Sequence, residues 1–216
     1  MDLVIFDLDG TLIDSSLDLA NSVNAARAHM DLPPLENKTV YSYVGNGAPV
    51  LMRRALGPEY SDEDVQRALG YFLEYYRDHM LENTVLYPGL REVLDQMLAA
   101  GITMAVLTNK PVRFSQAIVD GLGLGSHFRR VYGGNSFEKK KPNPVGIETL
   151  MTEFNTGHEK TLMVGDSSVD VQTARNAKVG ACGVTWGFQP ETFASDPPDF
   201  LIDRPEQLGQ KLMGRG

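Results

Sequence analysis

The sequence is poor in cysteine: Cys182 is the only one among 216 residues, which excludes an intramolecular disulfide. The fold must therefore depend on a hydrophobic core, and the hydrophobic residues, 42% of the chain, are ample for one. Cys182 lies in the apolar run "ACGVTW", a predicted core strand. A buried structural thiol is therefore favoured over a nucleophile at this position.

Long hydrophobic runs are also missing. The sequence predicts no membrane-spanning helix, because it has no run of about 18 apolar residues. The chain opens on a strand pattern at residues 3–6 and lacks the charged and apolar regions of a signal peptide. Together with the single cysteine, these absences predict a cytoplasmic protein.

Positive charge is scarce. The chain has 20 Lys and Arg residues against 28 Asp and Glu, a net charge of −8, so nucleic acids and anionic membranes are poor candidate partners. A small anionic substrate stays possible, because a site can be locally positive or hold a metal. We expect a monomer or homodimer.

Short apolar runs alternate with amphipathic segments along most of the chain. The predicted strands are 3–6, 102–107, 130–133, 161–165, 181–186 and 199–202. The predicted helices between and after them are 89–100, 112–122, 143–154, 168–177 and 205–213. This alternation predicts an α/β fold, a Rossmann-like doubly wound parallel sheet with helices on both faces.

The first two predicted strands are much farther apart than a single crossover requires. Residues 15–87 between them have helical patterning, and Ser61 followed by Asp64 forms a capping-box pattern before one of the helices. We therefore predict a helical domain over 15–87, inserted into an α/β core made of 1–14 and 88–216.

Polar side chains follow several of the predicted strands. Ligands of open α/β sheets bind outside the carboxyl ends of the strands, so these positions are candidates for a shared site. The candidates are Asp7 and Asp9 after the first strand; Thr108, Asn109 and Lys110 after the second; Lys141 in "KKKPNP"; and Asp166, Ser167 and Asp170 in "GDSSVD".

This mixture of residue types favours phosphoryl chemistry. Clustered carboxylates are costly unless a cation or a proton shares the site, and Mg²⁺ suits oxygen ligands. A metal, a lysine and a hydroxyl together can hold and neutralise a phosphoryl group. One carboxylate can act as the nucleophile, and a second can protonate the leaving group.

Each candidate also has an ordinary structural interpretation. Asp7 and Asp9 could belong to a polar loop, Thr108 could cap the next helix, and Lys141 could be one of three solvated lysines. Asp170 could be an exposed helix acid. The occurrence of all these residues in order after successive strands favours the site.

Four motifs in this order, "DLDGTL", "LTN", "KP" and "GDSSVD", resemble those of the haloacid dehalogenase superfamily. The insertion point of the helical segment is similar to that of the family's C1 cap. Closer still, "YVGNGAPVLMRRAL", "TNKP", "KPNP" and "VTWGF" look like segments of bacterial phosphoglycolate phosphatases. The resemblance covers the whole chain.

The resemblance implies an Mg²⁺-dependent phosphomonoester hydrolase that works through an aspartyl phosphate, with 2-phosphoglycolate as the expected substrate. It implies that Asp7 attacks phosphorus, and that Asp9 protonates the leaving oxygen and then deprotonates the hydrolytic water. Mg²⁺ would be held by the Asp7 carboxylate, the backbone carbonyl of Asp9 and Asp166.

The resemblance also assigns roles around this centre. Thr108 and Asn109 would bind the phosphoryl oxygens, and Lys141 would neutralise the nucleophile and the phosphate. Asp170, with Ser167 beside it, would orient Lys141 or a water on the metal.

Substrate-binding residues outside these motifs are less well defined by the sequence. The turn of Gly45, Asn46 and Gly47 precedes a predicted helix and could present backbone N–H groups to a carboxylate, but it could equally be an ordinary turn. Lys110, three residues past a strand, could reach the substrate.

The sequence leaves other functions open. The same core could serve a phosphatase for pyrophosphate, nucleotides or sugar phosphates, or a phosphomutase. A phosphorylatable signalling domain of flavodoxin-like type also has an acidic Mg²⁺ site, but it would be about half as long and would lack the inserted helices.

Overall fold

The computed structural model describes residues 1–214, and the chain divides into two compact units. The first unit contains Met1–Asp14 together with the chain from Leu86 onward, and the second is Ser15–Val85. The strands are β1 (Leu3–Phe6), β2 (Ile13–Asp14), β3 (Val85–Leu86), β4 (Thr103–Leu107), β5 (Arg130–Tyr132), β6 (Thr161–Gly165), β7 (Gly180–Val184) and β8 (Phe200–Ile202).

The helices follow in chain order. They are α1 (Ser16–His29), α2 (Asn37–Tyr41), α3 (Ala48–Leu56), α4 (Asp62–His79), α5 (Leu90–Ala99), α6 (Val112–Gly121), α7 (Val145–Glu153), α8 (Ser168–Asn176) and α9 (Glu206–Met213). Two short 3-10 helices cover His158–Lys160 and Pro190–Ala194.

Six strands of the first unit form one parallel sheet in the order β5-β4-β1-β6-β7-β8. The order runs outward from β1 in both directions, which is the doubly wound arrangement that the strand-helix alternation predicts. Every residue of β1 and β6 is buried, as expected for central strands covered on both faces. The predicted fold class is confirmed.

The strand register determines which residues share an edge of the sheet. Leu3–Phe6 pairs in step with Thr103–Val106 of β4 and with Thr161–Val164 of β6. The carboxyl ends of these three strands therefore lie side by side, and the residues that follow them lie at one edge.

One face of the sheet packs against α7 and α8. Its core joins side chains of β1, β4 and β6 to apolar residues of the two helices; the central members are Leu3, Ile5, Leu107, Ile147, Leu150, Met163 and Val171. Cys182 in β7 is 2% exposed, as the sequence predicts for a core thiol.

The second unit consists of helices α1 to α4. The predicted capping box is present at the start of α4, where the Ser61 hydroxyl accepts from the Asp64 N–H and the Asp64 carboxylate accepts from the Ser61 N–H. The ends of the unit are joined by Asp18, whose buried carboxylate accepts hydrogen bonds from the backbone and side chains of both Asn83 and Thr84.

Most predicted elements begin and end within two residues of the observed ones. Sequence patterning missed β2, β3 and α2, because elements of two to five residues are too short to show a period. In residues 1–214 no helix combines the length and apolar character needed to cross a lipid bilayer.

Candidate active site

The first residues past β1, β4 and β6 are fixed by the sheet. The Asp7 N–H donates to the Val164 carbonyl at 2.9 Å, so the ladder extends one residue beyond β1. In the same way the Thr108 N–H donates to the Tyr132 carbonyl at 3.0 Å. Asp166 follows β6 directly. Asp7, Thr108 and Asp166 are all buried at this edge.

A lysine bridges two of the carboxylates. The Lys141 ammonium lies 2.9 Å from Asp7 Oδ1 and 2.6 Å from Asp170 Oδ1, and its side chain is 2% exposed. The Asn109 side-chain amide donates to the Lys141 carbonyl at 3.1 Å, which fixes the backbone of the lysine. Burial alone would lower the pKa of Lys141, but the two carboxylates outweigh it and raise that pKa.

Three buried carboxylates form a compact acidic cluster. Oxygens of Asp7, Asp166 and Asp170 lie within 4.8 Å of one another. Burial raises the pKa of Asp7 to about 6, Lys141 opposes the rise, and Asp170 adds to it. Burial, followed by the charges of Asp170 and Asp7, raises the pKa of Asp166 well above its ordinary value. One ammonium among three carboxylates leaves the cluster with an excess of negative charge.

The donor set fits a hard divalent cation. Lys141 contacts Asp7 and Asp170, but within residues 1–214 no salt bridge reaches Asp166. Asp166 instead accepts from the Phe188 N–H at 2.7 Å and from the Thr11 hydroxyl at 3.4 Å. Carboxylate oxygens without a matching cation are the ligands that Mg²⁺ takes in proteins. Asp7 and Asp166 are therefore the residues that could hold it.

Asp9 and Lys110 pair outside this cluster. The Lys110 ammonium lies 2.8 and 3.0 Å from the two carboxylate oxygens of Asp9, and both side chains are largely buried. Within the described residues, the acidic cluster does not include the Asp9 carboxylate. Metal binding through the Asp9 backbone carbonyl stays a prediction. The structure thus places Lys110, predicted to bind substrate, beside the predicted general acid.

Asp170 is buried rather than exposed on its helix. Its Oδ2 accepts from the Ser167 N–H at 3.2 Å and from the Ser167 hydroxyl at 3.0 Å, which forms a capping box at the start of α8. Its Oδ1 is left to accept from Lys141. The helix cap therefore aims one carboxylate oxygen at the lysine.

Thr108 lies at the end of β4 and is 4% exposed. Its hydroxyl accepts from the Lys110 N–H at 3.3 Å, which makes a tight turn directly after the strand. The turn places three predicted site residues, Thr108, Asn109 and Lys110, in one short segment. The structure brings them to the same edge as Asp7.

The remaining predicted residues lie in the second unit. Gly45 and Gly47 have φ values of 106° and 87°, which favour glycine, and with Asn46 they precede α3. The turn geometry therefore accounts for both glycines. Substrate binding by Gly45, Asn46 and Gly47 stays a prediction.

Sequence reasoning missed the partners of Asp166. Phe188 contributes a backbone N–H and Thr11 a hydroxyl, and neither group forms a local pattern with Asp166. It also missed Tyr87, whose ring lies 6.2 Å from the Trp186 ring between centroids. Burial, followed by the carboxylates of Asp14, Asp166 and Asp9, raises the pKa of Tyr87.

Comparison with known proteins gives consistent matches along the chain. Residues 4–184 match the sequence model of the haloacid dehalogenase-like hydrolases. The chain is 39% identical over 213 residues to a phosphoglycolate phosphatase of Vibrio vulnificus strain CMCP6, covering 95% of this chain and 93% of the relative. It is 40% identical over 207 residues to a phosphoglycolate phosphatase of Pseudomonas putida strain KT2440, covering 93% and 76%.

The fold has a similarly close match. The crystal structure of a predicted phosphoglycolate phosphatase from Haemophilus somnus 129PT superposes with a TM-score of 0.91 at 32% identity. The superposition covers 98% of both chains.

Proposed function

The chain belongs to the haloacid dehalogenase-like hydrolases and is a phosphoric monoester hydrolase; we propose that it hydrolyses 2-phosphoglycolate to glycolate and phosphate in an Mg²⁺-dependent reaction. The observation that carries the proposed chemistry is the bridge from Lys141 to Asp7 and Asp170 beside the buried carboxylate of Asp166. The names of relatives that share about 39% of its residues support the substrate.

Asp7 is the proposed nucleophile. Its carboxylate stands at the end of a rigid central strand, where one oxygen is fixed by the Leu8 N–H at 2.7 Å and by Lys141. The Lys141 ammonium favours the ionised form of Asp7, which is the form that attack on phosphorus requires. Attack forms the aspartyl phosphate, and the P–O bond to the leaving glycolate breaks.

Asp9 is the proposed acid and base. In its protonated form it gives a proton to the glycolate oxygen as that oxygen leaves, and it regains a proton from the water that cleaves the aspartyl phosphate. The Lys110 ammonium at 2.8 Å holds the Asp9 carboxylate in place. Lys110 is also the proposed partner of the substrate carboxylate.

The other core residues are proposed to bind the phosphoryl group and to balance its negative charge. Thr108 and Asn109 are proposed to donate to the phosphoryl oxygens, and Lys141 balances the charge of the nucleophile and the phosphate. Asp170, with its second oxygen held by Ser167, keeps Lys141 oriented. Mg²⁺, held by Asp7, Asp166 and the Asp9 carbonyl, would supply further positive charge to the phosphoryl group.

A kinetic panel tests the proposal. Values of kcat/KM are measured with Mg²⁺ or with EDTA for 2-phosphoglycolate, pyrophosphate, a nucleoside monophosphate and a hexose phosphate. We expect the highest value for 2-phosphoglycolate and no turnover in EDTA. A higher value for pyrophosphate or a nucleotide would overturn the substrate, and full activity in EDTA would overturn the role of Mg²⁺.

The nucleophile is tested by Asp7→Asn. We expect a loss of at least about 10³-fold in kcat, because the amide is not nucleophilic. The wild-type enzyme, quenched in acid during turnover of labelled substrate, should carry a phosphoryl group that hydroxylamine removes, and the variant should carry none. Asp2→Asn, an exposed carboxylate paired with Lys160, is the control. Labelling of Asp7→Asn would refute the assignment.

A further inference from the structure

The Asp166 side chain is packed between the backbones of Gly10 and Gly187. A Cβ added to Gly10 would stand 2.3 Å from Asp166 Oδ2, and a Cβ added to Gly187 would stand 2.2 Å from Asp166 Cβ and 2.5 Å from Oδ2. Distances this short are not compatible with a side chain at either glycine. The backbones of both glycines therefore pack directly against the Asp166 side chain.

Gly10 and Gly187 come from different parts of the chain. Gly10 belongs to the "DLDGTL" motif and has φ +79°, so its backbone conformation also favours glycine. Gly187 lies three residues beyond β7 and outside residues 4–184, the part of the chain that matches the family. Glycine is needed at position 187 because there is no room for a side chain, since a Cβ there would also lie 2.5 Å from the Gly10 carbonyl oxygen.

The segment Trp186–Gly187–Phe188 is held at this position by two hydrogen bonds. The Phe188 N–H donates to Asp166 Oδ2 at 2.7 Å, and the Trp186 indole N–H donates to the Thr11 carbonyl at 3.2 Å. Thr11 in turn donates its hydroxyl to Asp166 Oδ1 at 3.4 Å. Trp186–Gly187–Phe188 thus contacts the Asp166 carboxylate directly, and it also contacts Thr11, which donates to the other oxygen of that carboxylate.

We propose that Trp186–Gly187–Phe188 is a positioning element for the metal ligand Asp166. It fixes Oδ2 with a backbone N–H and excludes other rotamers of the carboxylate by close packing of Gly187. Because the partner is a backbone N–H, it brings no positive charge that would compete with a cation for Asp166. A salt bridge from a lysine or arginine at this position would compete with Mg²⁺ for the carboxylate.

This inference rests on the Mg²⁺ site of the proposed function. Hydrogen bonds from neighbouring groups to a ligating carboxylate orient it, and their loss typically weakens metal binding about 10- to 100-fold. The Cβ of Gly187→Ala would clash with Asp166 and with the Gly10 carbonyl, but Gly187 itself is not among the residues proposed to touch Mg²⁺ or the substrate. Gly157→Ala is the matched control, because a Cβ at Gly157 would have no neighbour within 4 Å.

The test is a titration of the metal-free enzyme with Mg²⁺ in the absence of substrate. Binding is monitored by calorimetry and by the fluorescence of Trp186, the only tryptophan in the chain. Thermal unfolding of each variant is measured in EDTA. We expect the Kd for Mg²⁺ to rise about 10- to 100-fold in Gly187→Ala and to change less than about twofold in Gly157→Ala. An unchanged Kd in a folded Gly187→Ala would overturn the proposal.

A second variant and the wild-type titration complete the test. If Gly187→Ala does not fold, Trp186→Phe replaces it, because phenylalanine keeps an aromatic ring but removes the N–H donor to Thr11. In this variant we expect the calorimetric Kd to rise about threefold or more, as the loss of one hydrogen bond implies, and no change would overturn the proposal. If the wild-type enzyme binds no Mg²⁺, the metal site itself is refuted and the positioning role with it.

Discussion

The Lys110 ammonium donates to both carboxylate oxygens of Asp9, at 2.8 and 3.0 Å. The lysine side chain is 5% exposed and that of Asp9 is 11% exposed, so water screens the pair poorly. Lys110 therefore balances the charge of the proposed general acid in the absence of substrate. A substrate carboxylate that enters the site would compete with Asp9 for the same ammonium.

This competition predicts a substrate-dependent effect of Lys110→Met. We expect kcat/KM for 2-phosphoglycolate to fall about 10- to 100-fold, because a hydrogen bond to a charged group contributes about 1.5–3 kcal/mol. Ethyl phosphate, which has no carboxylate, should lose less. Exposed Lys139, mutated to methionine, is the control. Equal losses on the two substrates would show that Lys110 acts through Asp9 alone.

Asp170 is predicted to act on Lys141. In Asp170→Asn the lysine loses one of its two ionic partners, and we expect kcat to fall about 10- to 100-fold with a smaller change in KM. Steady-state kinetics at saturating Mg²⁺ measure both constants, and circular dichroism verifies the fold. Asp2→Asn should behave as wild type. A variant of Asp170 with unchanged kcat would contradict the role given to this pair.

Asp18 is predicted to stabilise the second unit. Its 1%-exposed carboxylate accepts from two backbone N–H groups, one hydroxyl and one amide of Asn83 and Thr84. Asp18→Ala leaves these donors without the carboxylate, and we expect the free energy of unfolding to fall by about 2–4 kcal/mol.

Urea denaturation measures this loss. Asp78→Ala removes an exposed carboxylate of the same unit, paired with Arg77, and should change stability by less than about 0.5 kcal/mol. Similar losses in the two variants would argue against a special role for Asp18.

Cys182 is predicted to be unreactive in the native protein. Burial raises the pKa of its thiol to about 12, so the thiolate is scarce at pH 8. Since only the thiolate reacts, iodoacetamide at pH 8 should modify the folded chain at least about 100-fold more slowly than the chain in urea. Mass spectrometry counts the adduct. Rapid labelling of the folded protein would contradict the burial of this strand.

Several features follow from local sequence and could be predicted from it. The strand and helix alternation was sufficient for the sheet, because each element carries its own apolar period. The capping boxes of Ser61 with Asp64 and of Ser167 with Asp170 form between residues three apart, so their geometry is set within one helical turn. Polar residues past β1, β4 and β6 were predictable as a group, because parallel strands end at one edge.

Residue patterning alone does not predict the pairings within that group, and the expectation that Asp170 would orient Lys141 came from the family resemblance. Lys110 is 101 residues from Asp9, Lys141 is 29 residues from Asp170, and Phe188 is 22 residues from Asp166. Which lysine meets which carboxylate depends on side-chain packing at the sheet edge, and no periodicity encodes it.

The sequence by itself determined the composition of the site: the carboxylates, the lysines, the hydroxyl and the order in which successive strands deliver them. Only the tertiary structure decided their charges and partners. It buried Asp170 against Lys141, paired the Asp9 carboxylate with Lys110, and gave Asp166 the Phe188 N–H and the Thr11 hydroxyl as partners. The physical reason is that burial and pairing set the free energy of each charge, and both depend on contacts between distant segments.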